Sequence, residues 1–269
     1  MSFNLHTFIL GLVQGICEFL PVSSSGHLAI LQNFFGFVNE NLVAFDLLLH
    51  CATVLVVFIY FRRDIMRLII EWFGGWVSRR KSGGWAYGWA ILIANFMTAL
   101  IGLPLRKIVD IFTDRPIYIG TGLILTAFVL IFVPIMSDRR KNSSLLKIAL
   151  VVGIAQGIAV LPGVSRSGMT LAAGLFMGLG AAEAFRFSFL VSIPAVLGAT
   201  LLEALKFFKS GETLFMPDGY LWAIIAAFVL GLASLGFMRK LILAGKWAYF
   251  GLYCLIAGSA VILFSLRII

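Results

Sequence analysis

The chain has 269 residues, of which 61% are hydrophobic and only 12% charged, with a formal net charge of +9. A soluble core cannot absorb that much apolar surface, so the bilayer must solvate most of it. The basic residues cluster at the ends of apolar spans rather than in a stripe, which argues for charge that orients a membrane protein and against a nucleic-acid partner. Residues 1–8 carry no Lys or Arg, and no small-residue cleavage site follows, so no removable signal peptide is expected. Residues 8–20 are apolar and stop at Pro21, followed by Val22-Ser23-Ser24-Ser25-Gly26 and a second short apolar run over 28–38. Full crossings are predicted at 42–60, 85–105 and 116–136, and segment 62–84, with Ile65, Leu68, Ile69 and Trp72, can form an amphipathic surface helix. The short-run design then recurs: 148–161, a break at Pro162-Gly163-Val164-Ser165-Arg166-Ser167-Gly168, and 169–179. Crossings at 184–205, 220–238 and 247–266 bring the total to six. Trp85, Tyr87, Trp222, Trp247 and Tyr249 stand near span ends, where interfacial aromatics belong.

Neither short run can cross. At ~1.5 Å per residue, 13 or 14 residues reach only ~20 Å of the ~30 Å hydrocarbon layer. Each pair therefore reads as a re-entrant helical hairpin. Irregular backbone at its tip is tolerated only where it is buried in protein or lines a polar cavity.

The two hairpins match without gaps at an offset of 142. Gly11, Gln14, Gly15, Ile16, Val22, Ser23, Ser25 and Gly26 correspond to Gly153, Gln156, Gly157, Ile158, Val164, Ser165, Ser167 and Gly168, which is 8 of the 18 positions over 11–28. This predicts two repeats, 1–137 and 138–269, in one all-α membrane domain, each a hairpin plus three crossings. Three is odd, so the second repeat must be inverted relative to the first. With both termini outside, segments 62–81, 138–147 and 239–246 become cytoplasmic and hold 13 basic residues against 6 in the outer segments. The positive-inside rule favours that orientation.

Polar groups at membrane depth are costly and so are functional candidates. Gln14 and Glu18 lie four apart on one face of the first half-helix; Ser23, Ser24 and Ser25 form its break, and His27 follows. The second break offers Ser165, Arg166 and Ser167, with Thr170 one turn later. Inversion aims two helix N-termini at each other, and their free N–H groups favour an anion. Arg166 adds a fork suited to phosphate, and a divalent cation can join through Glu18. Plainer readings stand beside these. The serines can simply cap helices, Gln14 and Gln156 can be interhelical hydrogen-bond glue, His27 can be structural, and Glu18 with Arg166 can be a purely structural ion pair. Asp46 and His50, four apart, can pair with each other; Glu183 and Arg186 can pair or snorkel at a span's end. Cys17, Cys51 and Cys254 read as small buried apolar residues. An inverted repeat with broken helices also leaves a lipid flippase or other secondary transporter as the rival function.

The run from Gln14 to His27 resembles the first signature of the bacitracin-resistance type undecaprenyl-diphosphate phosphatases, an acid or Gln, three spacers and Glu, then the serine turn and His. Pro162-Gly163-Val164-Ser165-Arg166-Ser167-Gly168-Met169-Thr170 is similar to that family's second signature, P-G-x-S-R-S-x-x-T. Gln14 stands where many members have Glu, which removes one carboxylate from any metal site. The resemblance implies hydrolysis of undecaprenyl diphosphate to undecaprenyl phosphate and inorganic phosphate in the bacterial inner membrane; the orientation read from the charges, with the termini and first hairpin outside, makes a site open to the periplasm the expectation. The resemblance also implies a divalent cation, magnesium or calcium. The expected catalytic residues are Glu18, His27, Ser24 and Arg166, with Glu18 on the metal; Gln14, Ser23, Ser25, Ser165, Ser167 and Thr170 are expected to bind substrate. His27, Ser24 and water remain alternatives for the nucleophile, and a monomer and a homodimer both remain open.

Overall fold

The computed structural model describes residues 3–37, 42–78, 83–113, 115–136, 143–210 and 215–268. The basic residues Arg79, Arg80, Lys81, Arg139, Arg140 and Lys141, and Val38 at the end of the predicted second run, lie outside them. Twelve α-helices follow in chain order among the described residues: α1 (Leu5–Cys17), α2 (Ser24–Phe34), α3 (Val43–Tyr60), α4 (Arg62–Ser78), α5 (Gly83–Leu105), α6 (Val109–Thr113), α7 (Pro116–Met136), α8 (Leu145–Ile158), α9 (Arg166–Phe176), α10 (Ala181–Ser210), α11 (Tyr220–Leu243) and α12 (Trp247–Ile268). The chain is an all-α polytopic membrane protein. Helices α3, α5, α10, α11 and α12 are long and apolar enough to cross a bilayer. Helix α7 runs 21 residues, or roughly 32 Å. Helices α1, α2, α8 and α9 have 13, 11, 14 and 11 residues, too short to cross.

Local sequence sets the helix ends. Asn4 caps α1, its side chain accepting from the His6 and Thr7 amides at 2.9 and 3.2 Å. Helices α2 and α9 begin at the serines, ahead of the predicted apolar starts at 28 and 169. The cause is capping: Ser23 Oγ accepts from Gly26 N at 3.4 Å and Ser165 Oγ from Gly168 N at 3.1 Å. Pro104 ends α5 in a 3₁₀ turn over Arg106–Ile108. Segment Arg62–Ser78 is helical, and its Arg186 neighbour settles one expectation differently. Arg186 pairs not with Glu183 but with Asp64 at 2.8 Å, and lies over the Tyr87 ring. Cys17 and Cys254 are buried as expected, whereas Cys51 is exposed on α3.

Packing is paired across the two halves. Helix α1 lies on α11, α8 lies on α5, and α7 packs along α12. Close approach depends on glycine at equivalent places. A Cβ on Gly11 would fall 2.2 Å from the Ala223 carbonyl oxygen, and one on Gly153 would fall 2.3 Å from that of Ala94. Gly15 and Gly157 meet α11 and α5 one turn further on. Gly11→Val or Gly153→Val is expected to cost about 3 kcal/mol or more by forcing these helices apart. Size-exclusion chromatography in detergent should then show aggregated or absent protein. Gly236→Ala, where a Cβ meets nothing within 4 Å, should leave yield and thermal midpoint unchanged.

The hairpin tips meet inside the bundle. Gly26 of the first tip faces Gly163 of the second, and Gly168 of the second faces Pro21 of the first, both at 3.2 Å for an added Cβ. Phe19, Val22 and Val164 are buried at these tips. The irregular backbone is satisfied from neighbouring elements. Ser167 Oγ donates to the Leu20 carbonyl at 3.2 Å, Thr126 Oγ1 to that of Gly163 at 3.2 Å, and Ser165 N donates to Thr126 Oγ1 at 3.0 Å. That is what non-helical backbone at membrane depth requires.

Candidate active site

Glu18 caps the C-terminus of α1 and Arg166 opens α9, so the two touching tips bring them together. Arg166 donates to Glu18 Oε1. The second carboxylate oxygen, Oε2, accepts from Ser24 Oγ at 2.6 Å and from Gln14 Nε2 at 3.2 Å. Glu18 is 8% exposed and Gln14 fully buried. A charge so placed is held only by partners of this quality.

The first tip carries backbone strain that the second avoids. Ser23 has φ +68, the one positive φ outside glycine among the described residues. In the second tip the left-handed position falls on Gly163, at φ +83, and Ser165 is an ordinary extended N-cap. Strain at a non-glycine residue is a mark of functional turns. Here it sets Ser24 facing Glu18.

A cavity of about 700 Å³ opens over the two tips. Glu18, Ser23, Ser24, Ser25, Ser165, Arg166 and Ser167 line one side, so seven of the ten predicted site residues share one space. The N-termini of α2 and α9 end there, adding backbone donors and positive dipole ends to the guanidinium. Gln14 lies beneath Glu18 rather than on the cavity surface. Two more predicted residues do not line this cavity. His27 Nδ1–H donates to the Ser23 carbonyl at 2.8 Å, which fixes the tautomer, and its Nε2 accepts from the Tyr253 hydroxyl at 2.7 Å. Thr170 Oγ1 bonds back to the Arg166 carbonyl at 2.9 Å and to the Ser188 hydroxyl. It borders a small chamber of about 20 Å³ with Thr53, Ser188 and Ser192, lined also by Glu18, Arg166 and Ser167 of the central cluster, room for about one water among polar partners.

Asn95, Thr98 and Glu203 line the cavity without having been singled out from sequence, and His50, read there as a partner for Asp46, joins the site instead. His50 of α3 lies 3.1 Å from Gln14 and 3.8 Å from Glu18. The expected pairing of Asp46 with His50 does not occur, because Asp46 instead accepts from Gln32 at 2.9 Å. Asn95 and Thr98 of α5 face the cavity with Gln156, and Gln156 does bridge helices, donating to Thr98 Oγ1 at 3.0 Å. An Arg106–Glu203 ion pair joins α5's end to α10 on the same wall. A polar residue inside an apolar span was the available signal for each.

The donors a divalent cation would find here are few. No group of three or more His, Cys, Asp and Glu side chains gathers among the described residues, so a dedicated protein cage is not built here. Glu18 supplies one carboxylate, and the buried Gln14 Oε1 has no partner. One carboxylate, a carbonyl-type oxygen and serine hydroxyls suit a hard cation that shares its shell with phosphate oxygens. The residues fit that kind of site.

The chain is similar to proteins of one family over nearly its whole length. The family model described as Bacitracin resistance protein BacA matches residues 7–260. The undecaprenyl-diphosphatase of Treponema denticola is 42% identical over 264 residues, covering 94% of each chain. That of Desulfosudis oleivorans is 37% identical over 275 residues, covering 96% of this chain and 97% of its own. An archaeal protein of the same name, from Korarchaeum cryptofilum, is 37% identical over 262 residues, with 96% and 97% covered.

Proposed function

This chain belongs to the Bacitracin resistance protein BacA family, and on that footing we propose that it hydrolyses undecaprenyl diphosphate to undecaprenyl phosphate and inorganic phosphate. It is a membrane phosphatase. Its product is the lipid carrier of cell-wall synthesis, and removing the diphosphate counters bacitracin. The observation that carries the mechanism is the Glu18 carboxylate, held between Arg166 and the Ser24 hydroxyl at the mouth of two helix N-termini.

The terminal phosphate sits against Arg166, the free N–H groups of α2 and α9, and the hydroxyls of Ser23, Ser25, Ser165 and Ser167. These donors face the charge that develops on the equatorial oxygens, the main contribution a protein makes to phosphoryl transfer. Ser24 Oγ attacks the terminal phosphorus and passes its proton to Glu18 Oε2, 2.6 Å away. The P–O bond to the bridging oxygen breaks and undecaprenyl phosphate leaves. Glu18 gives its proton to the departing oxygen and is again a carboxylate; a water then attacks the phosphoserine, its proton passes through Glu18 to Ser24 Oγ as that P–O bond breaks, and inorganic phosphate is released. His27, bonded to Ser23 and Tyr253, holds the strained turn. Glu18 and Gln14 would hold magnesium or calcium, which when bound neutralises diphosphate charge.

The paired packing of α1 on α11 and α8 on α5 supports an inverted repeat with halves 1–137 and 138–269. The excess of basic residues in 62–81, 138–147 and 239–246 supports both termini outside a bacterial cytoplasmic membrane. In that orientation the cavity opens toward the periplasm.

Phosphate release from a short-chain prenyl diphosphate, by protein purified in detergent, tests the reading. Release should require a divalent cation and stop with EDTA. Ser24→Ala should lower kcat by about 10³-fold or more, and His27→Ala by clearly less. A His27→Ala enzyme that is dead beside an active Ser24→Ala enzyme would eliminate the serine nucleophile.

A further inference from the structure

One corner of the cavity holds three side-chain atoms from two helices in a tight triangle. Gln14 Nε2 lies 3.2 Å from Glu18 Oε2 and 3.1 Å from His50 Nδ1, and those two are 3.8 Å apart. Neighbouring ligands of an octahedral cation stand about 3.0 Å apart for metal–ligand bonds of ~2.1 Å, and about 3.4 Å apart for bonds of ~2.4 Å. Two sides of the triangle fall within that range, and the Glu18–His50 side, at 3.8 Å, is a few tenths of an ångström longer.

The chemistry of the corner is set by the Gln14 carboxamide. Its two N–H groups donate to Glu18 and to His50, while its Oε1 is buried without a partner. A half-turn of the carboxamide exchanges nitrogen and oxygen. That rotation loses nothing at the far end, where the present atom makes no hydrogen bond. At the near end it sets an amide oxygen between a carboxylate oxygen and an imidazole nitrogen. Three lone-pair donors then crowd within 3.8 Å of one another, an arrangement that repels itself unless a positive charge sits among them. Helix spacing holds the set in place. Gln14 and Glu18 are one turn apart on α1, and His50 comes from α3, whose side chain keeps 31% exposure toward the cavity.

We infer that His50 is a third protein ligand of the divalent cation, completing a face with Glu18 and Gln14 and leaving the remaining positions to water and phosphate. The identity of that phosphate as a lipid diphosphate rests on the phosphatase reading above; the ligand face itself does not. Two consequences follow. With Gln14 and His50 neutral, the bound ion keeps a net positive charge beside Glu18, which suits a polyanionic substrate. An imidazole in the shell also moves preference away from calcium, which favours oxygen, toward ions that accept nitrogen, such as iron, nickel and zinc.

Manganese binding to the full-length protein in detergent, without substrate, tests this directly. Electron spin-echo modulation of bound Mn²⁺ should show coupling to imidazole nitrogen. The coupling should vanish in His50→Gln and persist in His27→Gln. The Kd for Mn²⁺ should weaken roughly tenfold or more in His50→Gln, with a smaller change for Ca²⁺. Absence of nitrogen coupling in the wild-type protein, failure to bind Mn²⁺, or coupling that survives in His50→Gln would each overturn the assignment, the first two without reliance on a variant. Nitrogen coupling in a protein that releases no phosphate would leave the ligand face standing and sink the phosphatase reading.

Discussion

Arg166→Ala is expected to lower kcat/KM for a prenyl diphosphate by about 10³-fold or more, measured as phosphate release at saturating magnesium or calcium. The magnitude follows from what the guanidinium does. It is the one fixed cation that the second hairpin brings into the cavity, where the proposed reaction develops charge on the phosphate oxygens. Arginines that stabilise phosphoryl-transfer transition states are worth about 10³–10⁵ in rate. Arg166→Lys should recover only part of the loss, because an ammonium restores the charge but cannot bond Glu18 and a phosphate oxygen through one planar fork. The change also removes the partner of a nearly buried carboxylate. A cost of about 3 kcal/mol should appear as a lower thermal midpoint in detergent. An Arg166→Ala protein that keeps its midpoint and its activity would place the phosphate clamp elsewhere.

Much of this site was legible in the sequence because membrane depth makes polar residues conspicuous. The breaks at Pro21 and Pro162, the matched serines and the lone Glu18 and Arg166 stand out against apolar runs, and the structure gathers them in one cavity. The half-helices were legible as too short, although their starts were misplaced. The serine caps wind α2 and α9 before the apolar residues begin. Side-chain direction was not legible. His27 sits beside the serine turn in sequence, yet helix α2 turns it toward Tyr253 of α12, a contact 226 residues away. His50 shows the converse. Its spacing from Asp46 suggested a local pair, and only the packing of α3 against α1 brings it to Gln14 and Glu18. Thr170 matched a signature position, but its hydroxyl is used on the α9 backbone and on Ser188. Motif spacing finds the segment, and tertiary packing chooses which side chain faces the cavity.

Glu18→Gln should reduce kcat by about 10²–10⁴-fold, the usual worth of a positioned general base. The substitution alone leaves a rival explanation, because it also strands Arg166 without a counter-charge. If the Glu18–Arg166 contact were only a structural ion pair, activity would follow stability. Combining Glu18→Gln with Arg166→Met separates the two. Replacing both members of a buried pair by neutral residues is often neutral or stabilising, whereas removing one is strongly destabilising. The double variant should therefore regain the thermal midpoint lost in Arg166→Met and be strongly non-additive in stability. Its phosphate release should stay at or below that of either single variant. Nothing in the double variant takes the Ser24 proton, since the hydroxyl 2.6 Å from Oε2 would face a neutral amide, and nothing replaces the fork on the phosphate. A double variant that regains both midpoint and turnover would reduce the pair to scaffolding and move the chemistry to the hydroxyls alone.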